Sequence, residues 1–285
     1  MRENSVSCLS AAGFHRMHYV EWGDPAAERV VICVHGLTRN GRDFDELAQA
    51  LLPDVRIVCP DVVGRGRSDW LQAKEAYGYG QYLADMTALI ARVTAGGAPQ
   101  HIYWVGTSMG GVIGMLLASS PKSPLEKLVL NDVGAVIPKA ALERIAAYVG
   151  KDPRFASCRE LELWLRVVCA PFGPLTDAQW RHLTGHGAKQ HADGSWGMRY
   201  DPGIAIAFQA GPLADVDLWQ PYDAIRCPTL LLRGALSDLL AKDTAVQMTQ
   251  RGPRPALVEF AGIGHAPMLM AADQIAAVRD FLLKN

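Results

Sequence analysis

Residues 103–114 read YWVGTSMGGVIG, which crowds Gly106, Ser108, Gly110 and Gly111 between an apolar run and what reads as the opening of a helix. Glycine inside a helix costs about 1 kcal/mol relative to alanine. A junction this rich in glycine is therefore a turn, and a tight one. The preceding HIYWV reads as a buried strand and the following GVIGMLLASS as a helix. Between them Gly106-Thr107-Ser108-Met109-Gly110 has the spacing G-x-S-x-G, which makes a sharp strand-to-helix turn with the serine at its tip. A Cβ at either flanking glycine would collide with the neighbouring strand or helix. The serine then stands at the carboxyl edge of a sheet beside a helix N-terminus. The free N–H groups and partial positive charge there favour an anion next to it.

Outward from this turn the same pattern recurs. RVVICVHG (29–36), VRIVCPD (55–61), KLVLND (127–132), TLLLRG (229–234) and ALVEFAG (256–262) are short apolar runs, each ending in a loop that carries glycine or aspartate. The runs are nearly continuous rather than alternating, as expected of strands covered on both faces. FHRMHYVEWG (14–23) alternates better and is expected to be an edge strand. Helical patterns fall between the strands: DFDELAQALL (43–52), YGQYLADMTALIARV (79–93), TAVQMTQRG (244–252) and ADQIAAVRDFLLKN (272–285). Strand–helix alternation predicts an α/β fold, a mostly parallel, doubly wound sheet with helices on both faces. Residues 136–221 break the alternation with helix-like pieces and no convincing strand. They are expected to form a helical cap over the carboxyl edge of a core built from 1–135 and 222–285.

A serine hydroxyl becomes a nucleophile only when a base takes its proton, and a histidine base needs a carboxylate to orient it. Of eight histidines, only His265 follows the last expected strand in a glycine-bearing loop, FAGIGHAPMLM. A loop at that edge can reach Ser108. The expected carboxylate is Asp238, just beyond the preceding strand in LLLRGALSDLLA; Asp132, which ends the strand LVLND, is the rival. The order Ser108, Asp238, His265 is a nucleophile–acid–base order. An anion forming at the substrate needs N–H donors. The backbone N–H of Met109 is one candidate, and that of Leu37, in CVHGLTRN, is the other. His35 in that loop reads as structural.

The composition excludes several classes. The chain has 285 residues, 28 Lys and Arg against 29 Asp and Glu, and a net charge of −1. A nucleic-acid partner would call for a basic face. No run approaches the ~18 apolar residues of a membrane span, and the N-terminus does not read as a signal peptide. Six cysteines without a CxxC pair suit a reducing cytoplasm, the expected location. His182, His186 and His191 in HLTGHGAKQH include a four-residue spacing, but Gly185 and Gly187 interrupt the helix a zinc site would use, so no metal is expected. GRGRSD (64–69) lacks the lysine and spacing of a phosphate loop. Trp164, Phe172, Trp180 and Trp196 are aromatic residues of the expected cap, either lining a pocket or packing the cap down.

HGLT (35–38), PDVVGRGRSD (60–69), GTSMGG (106–111), RGALSDLL (233–240) and GIGHAPML (262–269) together resemble the α/β-hydrolase superfamily, in its order and across most of the chain. The resemblance implies a serine hydrolase with Ser108, Asp238 and His265 as its triad and no organic cofactor. Related dehalogenases and epoxide hydrolases carry aspartate where Ser108 stands. Many hydrolases of carbon–carbon bonds carry tryptophan after the histidine, where this chain has Ala266 and Pro267. The expected activity is cleavage of a small, fairly apolar ester or lactone. Carbon–carbon bond hydrolysis and a non-catalytic ligand-binding member of the fold are the alternatives.

Overall fold

The computed structural model describes residues 1–95, 101–209 and 211–284; the last residue of the expected final helix lies outside them. The described residues form twelve strands and nine α-helices. In chain order they are β1 (Arg2–Ser10), β2 (Gly13–Trp22), β3 (Arg29–Val34), α1 (Asp45–Leu51), β4 (Arg56–Pro60), α2 (Tyr79–Thr94), β5 (His101–Thr107), α3 (Met109–Ser119) and β6 (Leu125–Asn131). Then come β7 (Val136–Ile137), α4 (Lys139–Ala146), α5 (Cys158–Val168), α6 (Asp177–Gly187), β8 (Ala188–Gln190), β9 (Trp196–Met198) and β10 (Val216–Asp217). The chain closes with α7 (Trp219–Ala224), β11 (Thr229–Gly234), α8 (Lys242–Met248), β12 (Ala256–Phe260) and α9 (Ala272–Leu283).

Eight strands form one sheet in the order β1-β2-β4-β3-β5-β6-β11-β12. β2 runs antiparallel to both β1 and β4, and all pairings from β4 to β12 are parallel. The continuous apolar runs are explained by the two cores they separate. Val30, Ile32, Ile102 and Trp104 face α2 and α3 residues such as Met86, Leu89, Val112 and Met115. Val31, Cys33, Tyr103 and Val105 face Leu47, Leu51, Val278 and Leu282 of α1 and α9. Because side chains alternate along a strand, a strand buried on both faces needs an apolar residue at every position. Each fully buried Val, Leu or Ile contributes about 1.5–3 kcal/mol.

Three local expectations are corrected. β2 is not an edge strand, because the polar, alternating segment RENSVSCLS forms β1 outside it. β12 is the other edge and is mostly exposed or half-buried, so only its last residue, Phe260, is buried. The segment between β6 and β11 is not purely helical: it holds two short antiparallel ladders, β7 with β10 and β8 with β9. These strands are two or three residues long, too short to give a period. The segment adds no strand to the main sheet. Two of its helices, α5 and α6, begin on sequence-encoded caps: the Ser157 hydroxyl accepts from the Glu160 N–H, and Thr176 and Gln179 form a reciprocal capping box.

The sheet order reverses between β3 and β5. Ligands of open α/β sheets bind in the crevice at the carboxyl ends of the strands flanking such a reversal. In this chain those ends carry His35-Gly36-Leu37 and Ser108.

Candidate active site

The turn after β5 is as tight as its glycines imply. A Cβ on Gly106 would lie 2.2 Å from the Gly110 carbonyl oxygen, and one on Gly110 would lie 2.0 Å from the Val34 carbonyl oxygen. Backbone contacts that close leave room only for hydrogen. They let α3 pack directly on β5 and β3, where the Trp104 indole N–H donates to the Gly110 carbonyl at 2.9 Å. Ser108 is held at φ 52° and ψ −114°, a conformation unfavourable for a residue with a side chain. Its N–H donates to Asn131 and its carbonyl accepts from Gly111 and Val112, so the strained turn is fixed at both ends.

His265 stands over this turn. Its Nε2 lies 3.0 Å from Ser108 Oγ and its Nδ1 lies 2.7 Å from Asp132 Oδ2. A carboxylate only accepts, so Nδ1 carries the proton and Nε2 is left to accept from the serine hydroxyl. Asp132 is fully buried, and it also accepts from the Gly234 N–H at 2.9 Å and the Ser237 hydroxyl at 2.7 Å. These donors compensate the cost of burying its charge. The histidine loop is anchored too: the Asn131 side-chain amide donates to the Pro267 carbonyl at 2.8 Å, and the Leu236 N–H to the Ile263 carbonyl at 2.8 Å.

The expected partnership of Asp238 with His265 is therefore corrected: Asp132 occupies that place. Asp238 is turned away from His265 to a half-exposed part of the cavity wall, where Arg144 of α4 holds its carboxylate through two hydrogen bonds. Its neighbour Ser237 is the residue of that loop which faces inward, to bond Asp132. Both aspartates follow a strand, and the only sequence signal favouring Asp132 is that it directly follows the buried end of β6, with no loop between.

The other sequence motifs build the surrounding loops. His35 is buried; its Nδ1–H donates to the Gly36 carbonyl at 2.7 Å and its Nε2 accepts from the Val62 N–H at 2.9 Å. Asp61 accepts from the N–H groups of Gly41 and Arg67, tying the loop after β3 to the loop after β4. Arg65, wholly buried, donates to the Leu37 carbonyl at 2.8 Å and touches the Met109 sulfur. The loop carrying Leu37 comes close to the serine, since a Cβ on Gly36 would sit 3.8 Å from that of Ser108. The Met109 N–H opens α3 and has no intrahelical acceptor.

Burial pushes His35 down from 6.5 to about 4, so it is neutral at physiological pH. Between those values the unfolded chain binds the proton and the folded one does not. Stability from this group is full above pH ~6.5 and is lost as pH falls toward ~4, about 3 kcal/mol in all. Denaturant unfolding of wild type and His35→Gln across pH 7.5 to 4.5 is expected to give a steeper acid loss for wild type. Parallel pH profiles would remove His35 as the source.

Ser108 and His265 open onto a cavity of about 500 Å³ whose wall is mostly apolar. That size lies within the ~300–1,000 Å³ of small-molecule sites. The intervening segment supplies one side, with Tyr148 from the turn after α4, Trp164 and Val168 from α5, then Phe172 and Met198. Of the four expected aromatics, Trp164 and Phe172 line the cavity. Trp180 is buried and stacks on Phe172, and Trp196 bridges to Phe155. Cys169 also lines the cavity, but burial pushes its thiol up to about 11, so it stays protonated at physiological pH.

Among the described residues, two clusters have metal-type ligands: Cys8 with His15 and Asp85, and Asp45 with His182 and His186. Neither lines the cavity. The Asp85 carboxylate is bonded by His15 and Gln81, and that of Asp45 by Arg42. All six cysteines are unpaired. No helix among the described residues is long and apolar enough to cross a membrane.

The sequence model of the α/β-hydrolase family matches residues 31–278. This chain belongs to the α/β-hydrolases. Among curated relatives of these hydrolases, a 3-hydroxybutyrate-oligomer hydrolase from Cupriavidus necator is 48% identical over 284 residues, covering 97% of this chain and 96% of that protein. The crystal structure of a putative hydrolase from Rickettsia typhi superposes with a TM-score of 0.92 at 32% identity, covering all of both chains. The structure of an α/β-hydrolase from Novosphingobium aromaticivorans gives 0.86 at 35% identity over 98% of each chain.

Proposed function

We propose that this protein is a serine esterase that cleaves the ester bonds of short oligomers of a small hydroxy acid, of the 3-hydroxybutyrate type. The observation that carries the reading is the line Asp132–His265–Ser108 at the wall of an apolar cavity. The nearly full-length likeness to a hydrolase of 3-hydroxybutyrate oligomers supplies the substrate class. Each repeat of such an oligomer is an ester flanked by a short aliphatic segment, which suits a mostly apolar wall.

In this reading His265 takes the Ser108 proton as Ser108 Oγ attacks the ester carbonyl. The N–H groups of Leu37 and Met109 receive the oxyanion; losing one such donor costs about 3–4 kcal/mol of transition-state stabilisation. His265 then protonates the leaving hydroxyl, an acyl group remains on Ser108, and water deprotonated by His265 releases it. Asp132, not Asp238, holds the imidazole and stabilises its cation. The segment between β6 and β11 acts as the cap that excludes water and sets substrate shape.

The test is turnover of 3-hydroxybutyrate dimer and trimer beside simple chromogenic esters of matched length. Release of monomer with kcat/KM well above that for the simple esters is expected. Turnover of simple esters with none of the oligomers would remove the substrate assignment, and turnover of neither would remove the esterase reading.

A further inference from the structure

The cavity wall carries two arginines, each already paired with a carboxylate, and the two pairs differ in kind. Arg39 and Asp43 are both buried and joined by two hydrogen bonds, so exchanging that partner would strand a buried charge. Arg144 and Asp238 face each other across the boundary between α4 and the loop after β11. Their side chains are 43% and 52% exposed. An ion pair that wet contributes little to stability and is readily exchanged. Both residues line the same cavity as Ser108 and His265. Arg144 therefore presents a planar guanidinium, the group best matched to a carboxylate, in a partnership that a second carboxylate can displace.

An oligomer of a hydroxy acid differs from an ordinary apolar ester at its ends: one is a free hydroxyl, and the other, the charged one, is a free carboxylate. We propose that Arg144 is the residue that receives this terminal carboxylate, exchanging Asp238 for it, and that Asp238 sets the preference for acidic over neutral esters by competing for the same guanidinium. This rests on the esterase reading above and concerns only which substrates it favours. Asp238 is then a positioning residue: it keeps Arg144 extended at the wall and raises the threshold for anions that lack the rest of the substrate.

The proposal makes the two partners act in opposite directions, whereas a simple latch between α4 and the core would fail the same way whichever partner is removed. The readout is the ratio of kcat/KM for a 3-hydroxybutyrate trimer as the free acid to that for its methyl ester. Arg144→Gln is expected to lower this ratio about tenfold, chiefly through KM for the acid, and Asp238→Asn to raise it several-fold. Arg144→Lys, which keeps the charge but not the fork, should fall between wild type and Arg144→Gln. The wild-type ratio should drop with added salt, and that of Arg144→Gln should not. Equal losses on both substrates in both variants, or a ratio that no variant moves, would overturn the assignment. Failure of wild type to cleave even the methyl ester would instead strike the esterase reading.

Discussion

Asp132→Asn is expected to lower kcat on any ester by about four orders of magnitude, whereas Asp238→Asn is expected to stay within about tenfold of wild type. The contrast follows from the hydrogen bonds. An asparagine at 132 can present an N–H₂ where the carboxylate accepted, which favours the imidazole tautomer with its proton on Nε2, facing Ser108. In that tautomer the base has no lone pair for the serine proton. The imidazolium formed during reaction also loses its counter-charge. Asp238 bonds Arg144 and not His265, so removing its charge leaves the relay as it was. Steady-state kinetics on a chromogenic ester, with circular dichroism to establish folding, decides between the two aspartates. A loss of four orders in Asp238→Asn with Asp132→Asn nearly active would restore the partnership expected from sequence.

Removing the serine hydroxyl has the largest expected effect. Ser108→Ala and Ser108→Gly should each reduce kcat by about 10⁶, leaving only the residual rate due to binding and oxyanion donors. The two variants should part in stability. Alanine keeps a Cβ at φ 52°, and glycine does not mind that angle. Ser108→Gly is therefore expected to be more stable than Ser108→Ala by about 1 kcal/mol in denaturant unfolding, despite glycine's greater freedom in the unfolded chain. Equal stabilities would mean the backbone at this turn carries no strain. A residual rate near that of wild type would rule out Ser108 as the nucleophile.

The sheet was legible because burial on both faces leaves an unbroken apolar run, and Ser108 because its glycines have a local steric purpose that the Gly110–Val34 approach bears out. His265 was legible from its place after the last strand. What escaped was non-local. Nothing in ALSDLL says that Ser237 turns inward and Asp238 away from His265, because that depends on Arg144, which lies 94 residues away in the chain. β1 escaped because RENSVSCLS is polar and its partner is simply the adjoining strand of a hairpin at the sheet edge. The ladders β7·β10 and β8·β9 are set by pairing rather than by pattern.

The β7·β10 ladder also bears on how such a protein can diversify. It brings Val136–Ile137 beside Val216–Asp217, so the long excursion between them leaves and rejoins the core at a single point. Ser108, Asp132 and His265 all lie outside that excursion. Doubling the length of a connection that starts and ends at one place costs only about 0.6 kcal/mol in closure entropy. Recombination at this neck could replace the whole segment, and with it one side of the chamber, while Ser108, Asp132 and His265 keep their spacing. In the proposed reading, the triad and the cap side of the chamber are thus carried on separable stretches of one gene, while core residues such as Leu37 and Asp238 keep the other side.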